Sequence, residues 1–225
     1  MLRIGHRGAA GHAPENTLLS IQKAIELGVD MVEVDVRRTR DGELVLLHDQ
    51  RVNRTTNGRG RIGDLSFEEV RRLDAGLGEA IPSLREALDL VRGSVQLMIE
   101  LKEPGIVPEV MDLIEDCHSS QEVILASFHH LALIEVRRLQ STARTLALID
   151  RVPASLDFAK DAEVTHAGVS VGSVTEKFVS SVHRANYQLF VYTVNEERDI
   201  RRMSELSVDG IISDYPDRIS AHNIL

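Results

Sequence analysis

The run Val32-Glu33-Val34-Asp35-Val36 sets two carboxylates two positions apart between β-branched apolar residues. Side chains alternate along a strand, so Glu33 and Asp35 share one face and the valines the other. Two carboxylates about 5 Å apart repel by roughly 3 kcal/mol at an effective dielectric of 20. A positive group is therefore expected between them, either a metal ion or arginines that hold both acids at the strand end. Ile99-Glu100-Leu101-Lys102 repeats the geometry, with a third carboxylate and a cation on one side of a strand. Glu100 and Lys102 read either as an ion pair or as a metal ligand beside a phosphate-binding ammonium. Oxygen ligands without cysteine suit magnesium, calcium or manganese better than zinc.

Two further groups complete a possible catalytic rim. His6-Arg7-Gly8 ends one strand-like run and His48-Asp49 ends another. An imidazole exchanges protons near neutrality, so the pair can serve as acid and base, although each histidine alone also fits a hydrogen-bonded structural role. Gly5 and Gly8 permit a tight turn or a close approach of backbone to substrate. Asn195 and Asp214 also close strand-like runs, where they read as rim residues or as caps and turns. His12, His118, His129, His130, His166 and His183 lack a carboxylate pattern of this kind and are read as structural or surface residues.

The elements that must position these groups are short β-branched runs alternating with segments of helical period, the pattern of repeated βα units. The strand-like runs are residues 2–5, 31–36, 44–47, 96–101, 123–127, 145–149, 167–171, 188–192 and 210–213. A closed α/β barrel uses eight strands, so one run lies outside the ring. The Asp41-Gly42 dipeptide is a hairpin signal that would turn residues 44–47 back along the second strand. Helices are predicted over residues 17–27, 107–117, 176–185 and 196–205 from apolar spacing, and over 83–91 from the capping-box spacing of Ser83 and Glu86. The glycine-rich, charged stretch 51–80 breaks the βα rhythm and reads as an excursion within one domain, residues 1–225.

Composition narrows the function. The 225 residues are 43% hydrophobic and 27% charged, with a net charge of −9. That charge opposes general affinity for nucleic acid or anionic lipid, so a small substrate fits better. The single cysteine, Cys117, forms no disulfide within the chain and reads as an inert, packed thiol, so a cytoplasmic setting is expected. Candidate chemistry begins at residues 3–8, where a secretory leader is not expected, and no apolar run reaches the roughly 18 residues of a membrane span.

Taken in order, His6-Arg7-Gly8, Pro14-Glu15-Asn16-Thr17, Glu33-Val34-Asp35-Val36, Asp41-Gly42, His48-Asp49, Arg54-Thr55-Thr56-Asn57-Gly58, Ile81-Pro82-Ser83-Leu84, Glu100-Leu101-Lys102, Thr193-Val194-Asn195 and the run from Asp209 to Pro216 resemble the glycerophosphodiester phosphodiesterase family. The resemblance spans nearly the whole chain. It implies a TIM-type (β/α)8 barrel with a small insertion at about residues 51–80. It implies that Glu33, Asp35 and Glu100 hold one divalent cation, magnesium or calcium with manganese also suited. His6 and His48 become acid and base, and Arg7 and Lys102 bind the phosphate. Tyr192 stands where family members often carry tryptophan, putting a smaller, more polar ring at the pocket wall. The implied reaction is metal-dependent hydrolysis of glycerophosphodiesters to glycerol 3-phosphate and an alcohol. Attack by the glycerol 2-hydroxyl through a cyclic phosphate and direct attack by water both stay open. The competing readings are a lysophospholipase D-type phosphodiesterase and a non-catalytic barrel that binds phosphodiesters.

Overall fold

A computed structural model describes residues 1–151 and 156–219 of the chain. Nine strands are present among the described residues: β1 Leu2–Gly5, β2 Met31–Arg38, β3 Leu44–Leu46, β4 Gln96–Leu101, β5 Val123–Ser127, β6 Arg144–Ile149, β7 His166–Ser170, β8 Gln188–Tyr192 and β9 Gly210–Ser213. All but β3 pair in parallel in the order β1-β9-β8-β7-β6-β5-β4-β2, and β1 pairs with β2 to close the ring. The fold is thus a TIM-type (β/α)8 barrel. The run outside the ring is β3, which pairs antiparallel with the end of β2, Val36 opposite Leu46 and Arg38 opposite Leu44.

Alternation along the strands explains the layers. Val32, Val34, Val36, Leu97, Ile99 and Leu101 point outward into a core shared with α1 Leu18–Glu26, α3 Leu84–Val91 and α4 Val107–Asp116. On the other face, Ile4, Met31, Met98, Ile124, Leu146, Phe190 and Ile212 fill the barrel interior. One step beyond Met31 and Met98 on that inner face come Glu33 and Glu100, so the apolar filling gives way to carboxylates toward the C-terminal ends of the strands.

Helix starts follow the side chains that cap them. Thr17 accepts the Ser20 N–H ahead of α1, and Ser83 with Glu86 forms a complete capping box ahead of α3. The remaining α-helices among the described residues are α2 Phe67–Arg71, α5 His130–Leu139, α6 Asp157–Asp161, α7 Glu176–Arg184 and α8 Glu197–Glu205. Cys117 caps the C-terminal end of α4 and is buried. Among the described residues no helix is long and apolar enough to cross a membrane. Val52, Ile62, Val70, Ala75 and Ile81 form a small cluster with Val45 and Leu47, which fixes the 51–80 stretch against β3.

Candidate active site

The residues singled out in the sequence meet at one end of the barrel. His6 and Arg7 leave β1, Glu33 and Asp35 lie on β2, His48 follows β3, Glu100 is the penultimate residue of β4 with Lys102 just beyond the strand, and Tyr192 ends β8. In the β2–β4 register Asp35 stands opposite Glu100. One carboxylate oxygen from each of Glu33, Asp35 and Glu100 lies within 4.8 Å of the others. The side strand β3 has a clear use here. Running back along β2, it brings Leu47 N–H to the Asp35 carbonyl at 2.9 Å and so delivers His48 to the acidic cluster. Buried Arg37 fixes that delivery by donating to the His48 carbonyl from Nε (2.9 Å) and Nη2 (2.7 Å).

Arg7 and Lys102 flank the acids. Arg7 Nε is 3.2 Å from Asp35 Oδ2, and Lys102 Nζ lies 2.6 Å from Glu100 Oε1 and 3.4 Å from Asp35 Oδ1. The Arg7 Nε–H is buried beside Asp35 without making a hydrogen bond. The Arg7 backbone N–H donates to Glu33 Oε2 at 2.9 Å. Asn16 grips Asp35 twice, its amide donating to Oδ2 at 2.8 Å and its carbonyl accepting the Asp35 N–H at 3.1 Å.

Burial drives the electrostatics. It raises the Glu33 carboxyl, and repulsion from Asp35 and Glu100 outweighs attraction to His6 and Arg7, pushing it up to about 8. Burial and Asp35 also push Glu100 up, against Lys102. Burial would raise Asp35 too, but Arg7, Lys102, His48 and Asn16 hold it below the ordinary value. The cluster is therefore short of positive charge. Its hard oxygen donors, converging and partly unpaired, fit a magnesium- or calcium-type ion.

Each histidine is oriented by a carboxylate. His6 Nδ1 donates to Asp214 Oδ1 at 2.6 Å, leaving Nε2 4.0 Å from Glu33 Oε2. Asn195 secures Asp214, donating to Oδ2 at 2.7 Å and accepting its N–H at 2.9 Å. His48 Nδ1 donates to Asp49 Oδ1 at 2.7 Å. Burial lowers His6, but the Asp214 hydrogen bond and the Glu33 charge more than offset it, so His6 stays above 6.5. For His48 burial prevails over Asp35 and Asp49, holding it below 6.5.

Beside these groups opens a recess with His6, Glu33 and Glu100 at its polar edge and Met98, Phe128, Leu148 and Tyr192 among its apolar walls. The Tyr192 hydroxyl donates to the Ile149 carbonyl at 2.8 Å. The polar tip expected from the sequence is thus already paired within the protein.

The turn that carries His6 and Arg7 depends on Gly8, whose φ is +86°; a Cβ there would come within 2.5 Å of the Ser20 carbonyl carbon. Gly8→Ala is expected to cost roughly 1–3 kcal/mol, read as a lower urea midpoint. An unchanged midpoint would show that the turn tolerates a side chain. The roles of Glu15, Asn16, Arg37, Asp49 and Arg54 were not legible in the sequence. All but Arg37 stood inside quoted motifs, which signalled importance but not contacts.

The arrangement defines an α/β barrel with an acidic, histidine-flanked centre at the C-terminal ends of its strands. Residues 6–218 match the glycerophosphoryl diester phosphodiesterase family, and the chain belongs to that family. It is 36% identical to a glycerophosphodiester phosphodiesterase of Bacillus altitudinis, over 96% of this chain and 95% of the relative. It is 34% identical to one from Caldanaerobacter subterraneus subsp. tengcongensis, over 97% and 96%. The structure of an Oleispira antarctica phosphodiesterase in complex with the product sn-glycerol-3-phosphate superposes with a TM-score of 0.91 at 28% identity, covering 96% of this chain and 94% of that one.

Proposed function

We propose that this chain hydrolyses small glycerophosphodiesters to glycerol 3-phosphate and an alcohol, with a divalent cation at Glu33, Asp35 and Glu100. The carrying observation is that two carboxylate-oriented histidines face one carboxylate cluster between two cations. The cation would act as a Lewis acid on the phosphoryl group. Arg7 and Lys102 bind the phosphate oxygens. His48, held below its ordinary value with Nδ1 committed to Asp49, presents a bare Nε2 and takes the proton of the nucleophile. His6, held above its ordinary value, gives a proton to the leaving alcohol. Tyr192 walls the recess with its ring.

The recess carries His6, Glu33 and Glu100 at its rim, a lining that suits the polar glycerol phosphate rather than an acyl chain. This favours a small diester over a lysophospholipid, and a pure binding barrel would have no use for two oriented proton carriers. The test is release of glycerol 3-phosphate from a panel of glycerophosphodiesters, a 2-deoxy analogue and lysophosphatidylcholine, using protein stripped by EDTA and restored with magnesium, calcium or manganese. Product is expected only with a cation and chiefly from the small diesters. Loss of turnover with the 2-deoxy analogue assigns attack to the glycerol hydroxyl, and undiminished turnover assigns it to water. Binding of glycerophosphocholine without turnover under every cation would overturn the enzymatic reading.

A further inference from the structure

Arg54 lies in the 51–80 stretch and has no part in the chemistry derived above, yet its guanidinium makes four hydrogen bonds to two carboxylates. Nε and Nη2 donate to Asp49 Oδ2 (2.9 Å) and Oδ1 (3.1 Å). Nη1 and Nη2 donate to Glu15 Oε2 (2.7 Å) and Oε1 (2.8 Å). Each carboxylate also holds a site residue: Asp49 Oδ1 accepts from His48, and Glu15 Oε1 accepts from Arg7 Nη1 at 2.7 Å. We propose that Arg54 is a positioning residue that sets the proton acceptor and the phosphate-binding guanidinium relative to each other, through Asp49 to His48 and through Glu15 to Arg7. This rests on the roles given to His48 and Arg7 above.

His48 arrives on a side strand outside the barrel ring and Arg7 on the loop after β1, so the ring pairing alone does not fix their separation. A planar guanidinium with donors on two edges can lock two carboxylates at a set spacing, which a single ammonium cannot do. Without that cation, Asp49 and Glu15 would repel each other and turn toward water, releasing both partners. The surrounding loop, in contrast, holds itself: Val52 N–H bonds the Gly60 carbonyl, Thr56 Oγ1 bonds the Val52 carbonyl, and Asn57 and Asp74 exchange hydrogen bonds. The four side-chain bonds of Arg54 all go to Asp49 and Glu15, which flank the site. An isolated exposed ion pair would contribute little to stability, and the consequence expected here is in alignment.

The test compares Arg54→Ala, Arg54→Lys, Asp49→Asn and Glu15→Gln in glycerophosphocholine turnover and in the ¹⁵N NMR of the His48 ring. Arg54→Ala should lower kcat/KM by about 10- to 100-fold, the scale seen when residues supporting a reactive group are lost, with kcat down and KM up together. Asp49→Asn should reproduce the fall in kcat and Glu15→Gln the rise in KM. The Arg54→Ala/Asp49→Asn double variant should lose no more kcat than the worse single one, because both act on one path. Free guanidinium should restore part of the Arg54→Ala activity and none in His48→Ala, and Arg54→Lys should fall between alanine and wild type. His48 in the wild type should carry its proton on Nδ1, and in Arg54→Ala the two tautomers should mix. Wild-type kcat/KM in Arg54→Ala overturns the proposal, as does a loss with additive double-variant effects and no guanidinium rescue. If the wild type releases no product under any cation, the functional reading falls. The ring signals still decide the positioning, since unchanged His48 tautomers in Arg54→Ala overturn it and mixed ones support it.

Discussion

Replacing either His6 or His48 with alanine should lower turnover of glycerophosphocholine by about 10²–10⁴-fold, the usual worth of a positioned proton carrier, while cation binding persists. The two variants should then part company according to the leaving group. His6 is the donor in this scheme because the Asp214 hydrogen bond and the Glu33 charge outweigh burial and keep it protonated above its ordinary range. His48 is the acceptor because burial outweighs Asp35 and Asp49 and keeps it neutral below that range. A glycerophosphate ester of p-nitrophenol departs without needing a proton, so it should recover most of the activity lost in His6→Ala and little of that lost in His48→Ala. The wild-type kcat/KM should fall on the acid side as His48 gains a proton and on the alkaline side as His6 loses one. His6→Ala should remove the alkaline limb. Rescue of His48→Ala instead would exchange the two roles, and full activity in either variant would end its assignment.

How much of this was legible in the chain depends on the range of the interaction. Strand positions and the inward face of β2 and β4 came from alternation, a local property, and so Glu33, Asp35 and Glu100 could be placed on one side before any contact was known. Which of nine strand-like runs left the ring was not decided by apolarity, and only the Asp41-Gly42 hairpin signal pointed to residues 44–47. Leu44–Leu46 is as apolar as the ring strands, and its antiparallel pairing with the protruding end of β2 bears out that turn and sets it apart. The partners of the reactive groups were hidden. His6 meets Asp214 across 208 positions and Arg54 meets Glu15 across 39, contacts that exist only once the barrel closes. Asp214 and Asn195 could be read as strand-end residues, but their mutual bonds, which decide what they do, could not. Tyr192 was legible as a wall residue, whereas the use of its hydroxyl depended on the carbonyl of a neighbouring strand, Ile149.

Cation binding and fold stability should oppose each other at Glu33. Asp35 is tied to Arg7, Lys102 and Asn16, so replacing it would disturb the phosphate-binding cations as well. Glu33 is the cleaner probe, because glutamine can still accept the Arg7 N–H there. Burial, then Asp35 and Glu100, push its carboxyl from 4.5 up to about 8 in the metal-free fold. A folded value above the unfolded one means that the stabilisation is complete below pH 4.5 and is lost as pH rises through about 8. The metal-free wild type should therefore melt at progressively lower temperature across that window, and a bound cation should restore the loss. At neutral pH the cation must displace the Glu33 proton, so calorimetry in buffers of different ionisation enthalpy should record proton release. Glu33→Gln should flatten the pH dependence of the metal-free melt and raise its midpoint at pH 8 above wild type. Its cation affinity should fall by more than the about 10- to 100-fold that loss of a supporting hydrogen bond costs a metal site. Equal pH slopes in the two metal-free proteins would end the assignment of that pH dependence to Glu33, and undiminished affinity in Glu33→Gln would place the cation elsewhere. The opposite result would mean that this fold tolerates an electrostatic penalty at Glu33 in order to keep a ligand for the ion.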